Sequence, residues 1–166
     1  MSAIVVMGVS AAGKSTVAAA LSARLDRRLV DADDLHPPAN VEKMAAGIPL
    51  DDADRAPWLD AVGAALADDA AGRGAVVACS ALRRIYRDRL RAAGDVVFVH
   101  LDADRAVLAF RASARENHFM PPALLESQLA TLEPLSNDER GVVIDVDAPL
   151  ADVVDAAAEW IERHDR

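Results

Sequence analysis

An eight-residue glycine motif near the start of the chain limits the possible folds more than any other segment. It reads G-V-S-A-A-G-K-S at positions 8–15, a complete G-x-x-x-x-G-K-[ST] pattern. An apolar run at 3–7 precedes it, and Val17, Leu21 and Leu25 follow it at helical spacing. A strand, a glycine loop and a helix in this order predict an α/β fold whose first loop binds phosphate, rather than an ordinary glycine turn.

The residues of this loop predict nucleotide binding for physical reasons. Gly8 and Gly13 allow backbone angles and a close approach that a side chain would block. Consecutive N–H groups then point at phosphate oxygens, and the positive end of the following helix adds to the attraction. Lys14 is expected to neutralise the β- and γ-phosphates of ATP, and the Ser15 hydroxyl to ligate Mg²⁺. The predicted ATP-binding residues of this segment are Gly8, Val9, Ser10, Ala11, Ala12, Gly13, Lys14, Ser15 and Thr16.

The rest of the chain alternates short β-branched runs with longer helical patterns, which favours a parallel sheet with crossover helices. Besides the run at 3–7, strands are predicted at 29–30, 75–79, 96–101 and 142–146, and helices at 14–25 and 150–163. We therefore predict a five-stranded parallel sheet flanked by helices, a three-layer sandwich, in one domain over 1–166.

Two polar segments interrupt this alternation. Residues 34–58 carry four prolines and many polar side chains, so we expect a structured excursion with short helices that contacts a substrate. Residues 111–122 are polar and end in a proline pair, so we expect a surface flap that acts as a lid. The region 137–147, around the last strand, is expected to supply the adenine pocket.

Composition and charge restrict the partners. The chain has 27 acidic and 18 basic residues, a net charge of −9, whereas nucleic-acid binding requires a cationic surface, so nucleic acid is not an expected partner. The single cysteine, Cys79, excludes an intramolecular disulfide and is expected to be a small core residue rather than a nucleophile. No run approaches the roughly 20 apolar residues that span a bilayer, and no signal-peptide pattern is apparent, so we expect a cytoplasmic protein without membrane contact.

Acidic residues follow the second predicted strand. Asp31 and Asp33 lie at its carboxyl end, the edge that faces the ligand crevice in open parallel sheets. Asp31 is expected to hold a Mg²⁺-bound water, and Asp33 to accept a hydrogen bond from the attacking hydroxyl. An ordinary Asp, with a pKa of about 3.9, is a weak base, but a loose phosphoryl-transfer transition state rewards orientation more than proton removal. The alternative is a solvated turn or a helix cap.

Four segments carry motifs more specific than the phosphate loop. They are D-A-D-D-L-H-P at 31–37 with Asn40, Lys43 and Met44; G-I-P-L at 47–50 with Asp52, Asp54, Arg55, Pro57 and Trp58; C-S-A-L-R at 79–83 with Tyr86, Arg87 and Leu90; and Arg111, Arg115, His118 and Phe119. Together with the loop they resemble the gluconokinase family over nearly the whole chain. The resemblance implies a shikimate-kinase-like fold, ATP- and Mg²⁺-dependent phosphorylation of D-gluconate at its 6-hydroxyl, and a homodimer.

The resemblance also implies roles for individual residues. Lys14, Asp33 and Arg115 are expected to be catalytic, and Arg111 and Arg115 to join the loop in binding ATP. The residues expected to bind gluconate are Asp33, His36, Lys43, Arg55, Arg83, Arg87 and His118. The chain departs from the family at Ala11, where glycine is frequent, and at 116–117, where Glu-Asn replaces a basic residue and glycine.

The predicted arginines also suit the chemistry of a sugar acid. Such a substrate carries a carboxylate, which bidentate arginines recognise. Arg83 and Arg87 are four residues apart and are therefore expected to share a helix face. Because other arginines surround them, spacing alone does not distinguish a binding site from a solvated face.

Two further functions stay open at this point. One is another small-molecule kinase of the same fold, such as a shikimate or nucleoside-monophosphate kinase, although these do not normally carry the H-P-x-x-N-x-x-K-M stretch. The other is a nucleotide-dependent binding module without turnover, which the compact domain and the substrate-like excursion argue against.

Overall fold

The computed structural model describes residues 1–68, 72–114 and 122–165. The strands in these residues are β1 (Ala3–Met7), β2 (Arg28–Asp31), β3 (Ala75–Ala78), β4 (Val96–Asp102) and β5 (Gly141–Asp145). The helices are α1 (Lys14–Leu25), α2 (Pro38–Ala45), α3 (Asp52–Ala67), α4 (Arg84–Arg91), α5 (Arg105–Ser113), α6 (Pro122–Thr131) and α7 (Leu150–His164). Short 3-10 turns at Ser10–Ala12 and Ala32–Leu35 follow β1 and β2.

The strands form one sheet in the order β2-β3-β1-β4-β5, and every neighbouring pair is parallel. The side chains of β1 and β3 are buried along their whole length, as expected for parallel strands that helices cover on both faces. The chain adds β2 and β3 on one side of β1, and β4 and β5 on the other. The loop after β1 therefore lies near the middle of the carboxyl edge, where open α/β sheets bind ligands.

Two apolar layers pack on the two faces of the sheet. Ile4 and Val6 of β1 join the cluster that contains apolar residues of α1 and α7, whereas Val5 and Met7 join the cluster that contains those of α3 and α4. This division follows from the alternation of side chains along a strand. The predicted three-layer sandwich with a five-stranded parallel sheet is confirmed.

The excursion at 34–58 folds into α2 and the first turns of α3. Asp51 accepts a hydrogen bond from the Asp54 N–H at 2.7 Å, and the Asp54 carboxylate accepts one from the Asp51 N–H at 3.1 Å, which makes a reciprocal capping box. This cap fixes the start of α3 and with it the positions of Asp52 and Arg55. No helix in the described part of the chain is long and apolar enough to cross a membrane.

Candidate active site

The phosphate loop is held in a shape that requires glycine at two positions. Gly8 has a φ of +143°, and a Cβ there would lie 2.6 Å from the carbonyl oxygen of Leu101. Gly13, with a φ of +85°, is the residue before α1. The Gly8 N–H donates to the Ser80 carbonyl at 3.3 Å, and the Lys14 Nζ donates to the Val9 carbonyl at 3.1 Å. The loop thus forms a rigid concave turn at the N-terminus of a 12-residue helix, which fits the phosphates of a nucleotide.

The side chains around the loop also fit Mg²⁺ as a nucleotide complex. Ser15 lies exposed in the first turn of α1. Among the described residues there is no group of three or more His, Cys, Asp or Glu side chains that could hold a metal ion by themselves. Mg²⁺ does not need such a group in kinases, because phosphate oxygens and water supply most of its ligands.

Asp31 and Asp33 lie at the end of β2, as predicted. One oxygen of Asp31 accepts the Asp33 N–H at 3.0 Å and so caps the 3-10 turn. Partial burial raises the pKa of Asp33, and the neighbouring Asp31 raises it further, although the positive charge of Lys14 acts in the opposite direction. These interactions place Asp33 within electrostatic reach of the phosphate-loop lysine, and the raised pKa makes its carboxylate a better proton acceptor than an ordinary Asp.

His36 is held as a neutral hydrogen-bond donor next to Asp33. Its ring stacks on Trp58, with centroids 4.3 Å apart and an interplanar angle of 12°. The Asn40 amide nitrogen lies 3.2 Å from His36 Nδ1 and also donates to the Asp54 carbonyl at 2.9 Å. An amide NH₂ can only donate, so Nδ1 accepts and Nε2 carries the proton. Burial lowers the pKa of His36 and favours this neutral form.

Four side chains from three segments form what we term the Tyr86 cluster: Asp52, Arg55, Arg83 and Tyr86. The guanidinium carbons of Arg55 and Arg83 lie 5.6 and 5.7 Å from the centroid of the Tyr86 ring, within cation–π range. The Tyr86 hydroxyl donates to Asp52 at 2.6 Å, and Arg83 donates to the other oxygen of Asp52 at 2.9 Å. The hydrogen bond from Tyr86, followed by the charge of Arg83, lowers the pKa of Asp52. Two cations are thus held close to one aromatic ring.

The cations of the predicted substrate site differ in how far the protein already neutralises them. Arg83 forms ion pairs with Asp52 at 2.9 Å and Glu133 at 3.4 Å, and Lys43 forms one with Asp54 at 2.8 Å. Arg55 makes one long hydrogen bond, 3.3 Å to the Tyr86 hydroxyl, among the described residues. Arg55 therefore has the most donor capacity left for an added carboxylate.

Arg87 occupies a different position from the one predicted. Its side chain is fully buried, pairs with Glu139 at 2.6 and 2.9 Å, and donates to the carbonyls of Ala81, Leu82 and Pro134. These contacts use all five guanidinium N–H groups. Although burial alone would raise the pKa of Glu139, the hydrogen bonds from Arg87 lower it, so the pair is ionised. The predicted contact of Arg87 with the substrate stays a prediction, but the geometry gives Arg87 a structural role. Its side chain lies on the buried face of α4, whereas the cap residue Arg83, four positions earlier, is half-buried.

The buried pair fixes the segment that follows β3. Ala81 has a φ of +45°, a left-handed conformation that is strained for a residue with a side chain. Arg87 holds the Ala81 carbonyl at 3.0 Å, while the preceding residue, Ser80, accepts the Gly8 N–H. Cys79 is buried beneath them, and burial raises the pKa of its thiol to about 12, which agrees with a core residue. Arg87 thus acts as structural support between the phosphate loop and Arg83.

A cavity of about 190 Å³ opens beside the phosphate loop. It is lined by Ala12, Gly13, Thr16, Val17, Arg111, Val146, Ala148, Leu150 and Val153. Arg111 donates to the Val146 carbonyl, and its guanidinium comes within 4.0 Å of the Cβ position at Gly13. Of the region expected to supply the adenine pocket, only Val146 reaches this cavity. Among the other apolar lining residues, Ala12 was predicted to bind ATP, but nothing in the sequence predicted that Ala148, Leu150 and Val153 line this cavity.

Arg115, predicted to be catalytic, and His118, predicted to bind the substrate, lie outside the described residues, as does most of the predicted lid at 111–122. Their roles stay predictions. Sequence reasoning also missed Gln128 of α6, whose carboxamide contacts the loop residue Ser10.

A parallel sheet with this loop, a carboxylate beside its lysine and a cluster of cations nearby define a P-loop small-molecule kinase. A family model described as an AAA domain matches residues 4–135. A gluconokinase from Gluconobacter oxydans is 55% identical over 140 residues, covering 82% of this chain and 78% of the relative. The crystal structure of a gluconokinase from Sinorhizobium meliloti 1021 is 46% identical with a TM-score of 0.89, covering 98% and 93% of the two chains.

A more distant structure, the shikimate kinase of Aquifex aeolicus, shares the fold alone, with 16% identity, a TM-score of 0.62, and coverage of 98% of this chain and 97% of that one. The chain belongs to the gluconokinase family.

Proposed function

We propose that this chain transfers the γ-phosphoryl group of ATP to the 6-hydroxyl of D-gluconate, giving 6-phospho-D-gluconate and ADP. The observation that carries the proposal is the similarity to gluconokinases over 82 to 98% of the chain. The site geometry supports it, because a phosphate loop, a carboxylate and unneutralised cationic donors occur in one molecule.

The donor side rests on the loop. Its backbone N–H groups and Lys14 bind the phosphates of ATP, and the apolar cavity beside Gly13 and Val146 suits the adenine ring. Ser15 and, through a water, Asp31 would hold Mg²⁺, which neutralises charge on the β- and γ-phosphates when bound. Arg111 and Arg115 are proposed to contact the phosphates from the side of the lid.

On the acceptor side, Asp33 orients the 6-hydroxyl of gluconate toward the γ-phosphorus. A bond forms between the hydroxyl oxygen and that phosphorus while the bond from phosphorus to the leaving ADP oxygen breaks, and the hydroxyl proton passes to Asp33. The raised pKa of Asp33 suits this transfer. Because the transition state is loose, the larger contribution comes from positioning.

The remaining acceptor contacts follow from charge. Arg55 and Arg83 are proposed to bind the gluconate carboxylate, and His36, Lys43 and His118 its hydroxyls. Support for Arg55 is its single hydrogen bond to Tyr86, which leaves donors for an added carboxylate. We further propose a homodimer in the cytoplasm, on the strength of the family resemblance and of the lone buried Cys79. Sedimentation equilibrium tests the dimer.

An acceptor screen tests the function. Purified chain with Mg-ATP is mixed with gluconate, shikimate, glucose or a nucleoside monophosphate, ADP release is followed, and the product is identified by mass and ³¹P NMR. We expect release only with gluconate and a product phosphorylated on the primary hydroxyl. Preference for another acceptor would assign a different small-molecule kinase, and ATP binding without acceptor-dependent ADP release would assign a binding module.

A further inference from the structure

The side chain of Gln128, in the middle of α6, makes a two-point contact with the third residue of the phosphate loop. Gln128 Oε1 accepts from the Ser10 N–H at 2.7 Å and from the Ser10 hydroxyl at 3.0 Å. Its Nε2 lies 2.8 Å from the same hydroxyl oxygen. A backbone N–H can only donate, so the amide atom facing it must be the oxygen, which fixes the orientation of the carboxamide. This contact joins residues 118 positions apart in the sequence.

The same contact satisfies a loop amide that would otherwise lack a partner. Ser10 begins the 3-10 turn Ser10–Ala12, so its N–H has no acceptor within that turn. The turn itself is closed by the Ala12 N–H, which donates to Val9 at 3.0 Å. Ser10 is half-buried, and an unpaired amide in such a place would cost stability and let the loop move. Gln128 therefore fixes the first part of the phosphate loop, ahead of Gly13 and Lys14.

The segment that follows α6 touches the acceptor side. The Glu133 N–H donates to the Leu82 carbonyl at 2.7 Å, and the Glu133 carboxylate accepts from the Arg84 N–H at 3.0 Å and from Arg83 at 3.4 Å. Arg83 is a member of the Tyr86 cluster. The segment formed by α6 and the two residues after it thus contacts the phosphate loop through Gln128 and the Tyr86 cluster through Glu133, five residues later.

We propose that Gln128 is a positioning residue for phosphoryl transfer: through Ser10 it sets the phosphate loop relative to the acceptor cluster that Glu133 holds. The inference rests on the proposed function and adds a residue to it. Ser10 belongs to the predicted ATP-binding loop, but the Gln128 contact leaves the Gly13–Ser15 segment at the helix N-terminus untouched. We therefore expect the loss of Gln128 to disturb the alignment of the two substrates more than the affinity of the loop for ATP. Misplacement of reacting groups by about 1 Å can cost about 10²-fold in rate.

The test compares Gln128→Met, which keeps the length of the side chain and removes its hydrogen bonds, with Ser127→Ala on the exposed neighbouring position of α6. We expect Gln128→Met to lower kcat by about 10- to 100-fold while the KM for ATP stays within about threefold. Ser127→Ala should match the wild type. Unchanged kcat in Gln128→Met, or a loss expressed only in the KM for ATP, would overturn the proposal.

A second variant keeps the test valid if Gln128→Met does not fold. Ser10→Ala removes the hydroxyl half of the contact and keeps the N–H, so we expect a smaller loss of kcat than in Gln128→Met. In the double variant the two losses should not multiply, because both changes remove one contact. Fully multiplicative losses would show that Gln128 acts elsewhere.

A measurement without turnover separates this inference from the proposed function. In the nucleotide-free protein, hydrogen exchange of the Ser10 amide, followed by NMR, should accelerate in Gln128→Met and not in Ser127→Ala. If the wild type fails to phosphorylate gluconate, the proposed function is wrong. The role of Gln128 is then tested by comparing the slow hydrolysis of ATP by water in the wild type and in Gln128→Met. Hydrolysis and Ser10 exchange both equal to wild type would contradict that role as well.

Discussion

The two regions that we propose as the donor and acceptor sides of the site are built in opposite ways. The phosphate loop is a contiguous segment whose shape is set by backbone angles at Gly8 and Gly13. The Tyr86 cluster brings together side chains from α3, from the segment before α4 and from α4 itself, and several of its charges already neutralise one another. A backbone site tolerates few changes and carries a local sequence signature, whereas a side-chain site depends on which faces of which helices are exposed.

This difference explains why similar arginines have unlike roles. Arg55 and Arg83 lie half-buried at the ring of Tyr86, while Arg87, in the same motif, is fully buried against Glu139. In the sequence, charge and spacing do not distinguish these three arginines from one another. Only packing separates a cation that can meet a ligand from one that supports the loop behind it.

The largest effect is expected from a single methyl group on the donor side. Gly8→Ala places a Cβ 2.6 Å from the Leu101 carbonyl oxygen at a φ of +143°, so we expect a loss of about 2–5 kcal/mol in the free energy of unfolding and of more than about 100-fold in ATP affinity. The matched control is Gly47→Ala, where φ is +71° but nothing lies within 4 Å, so only the backbone strain of about 1–2 kcal/mol is expected. Calorimetry measures the stability of both variants, and titration measures their ATP affinity. Equal effects of the two substitutions would mean that the close approach of Gly8 to the Leu101 carbonyl is unimportant.

Removal of the orienting carboxylate should damage catalysis and spare ATP binding. Asp33→Asn should reduce kcat by about 10²-fold or more, while ATP affinity changes little. In the wild type, the raised pKa of Asp33 predicts that kcat falls on acidification at a pH above the ordinary value of 3.8, because the ionised form is required. Near-normal turnover of the variant in saturating Mg-ATP would show that another group orients the hydroxyl.

Breaking the buried pair should affect stability first. Arg87→Met leaves the buried Glu139 with only its longer ion pairs, to Arg91 at 3.3 Å and Arg84 at 3.7 Å, so we expect a loss of about 3 kcal/mol in the free energy of unfolding. The double variant Arg87→Met/Glu139→Leu should recover most of that loss. Urea denaturation measures both. If Arg87→Met is as stable as the wild type and only gluconate affinity drops, Arg87 contacts substrate after all.

A variant of Arg115 tests the sequence-based prediction that the lid at 111–122 supplies a catalytic cation. If it meets the charge of the transferring phosphoryl group in the transition state, Arg115→Ala lowers kcat and kcat/KM together, with little change in the affinity for gluconate. If Arg115 is instead a solvated residue, kcat and kcat/KM of Arg115→Ala should both stay within about twofold of the wild type. Steady-state kinetics on this variant distinguishes the two outcomes.

The smallest effect is expected at His100, which is buried in β4 beside Met7 and is not among the predicted site residues. Both ring nitrogens are buried without a hydrogen bond among the described residues, and burial lowers the pKa of His100, with Arg87 lowering it and Asp102 raising it. Below about pH 6.5 the unfolded chain therefore binds more protons at this residue than the folded chain does. The free energy of unfolding consequently decreases as the pH is lowered, by up to about 1.4 kcal/mol per pH unit. His100→Leu should remove this part of the acid sensitivity between pH 8 and 5.5, and the exposed His164→Gln should not. An unchanged pH dependence of unfolding in His100→Leu would contradict this.

Sequence reasoning recovered the glycine loop and the sheet because their signals are local. The glycine motif, the strand at Ala3–Met7 and the helix at Lys14–Leu25 stand where the patterns predicted them. The burial of Arg87 and the contact between Gln128 and Ser10 could not be predicted, since they depend on how α4 and α6 rotate and approach distant segments. Gln128 carries no charge and no motif, so only its position beside the loop gives it significance.

The most direct measurement is the ratio of kcat/KM for gluconate to kcat/KM for sorbitol, which lacks the carboxylate. A charge-assisted pair at Arg55 and Arg83 is worth about 1.5–3 kcal/mol, so the account predicts a ratio of about 10 to 150 in the wild type. In Arg55→Met the ratio should fall toward one while kcat/KM for sorbitol stays within about twofold. Equal kcat/KM values for the two acceptors in the wild type, or an unchanged ratio in Arg55→Met, would contradict the assignment of the Tyr86 cluster as the carboxylate site.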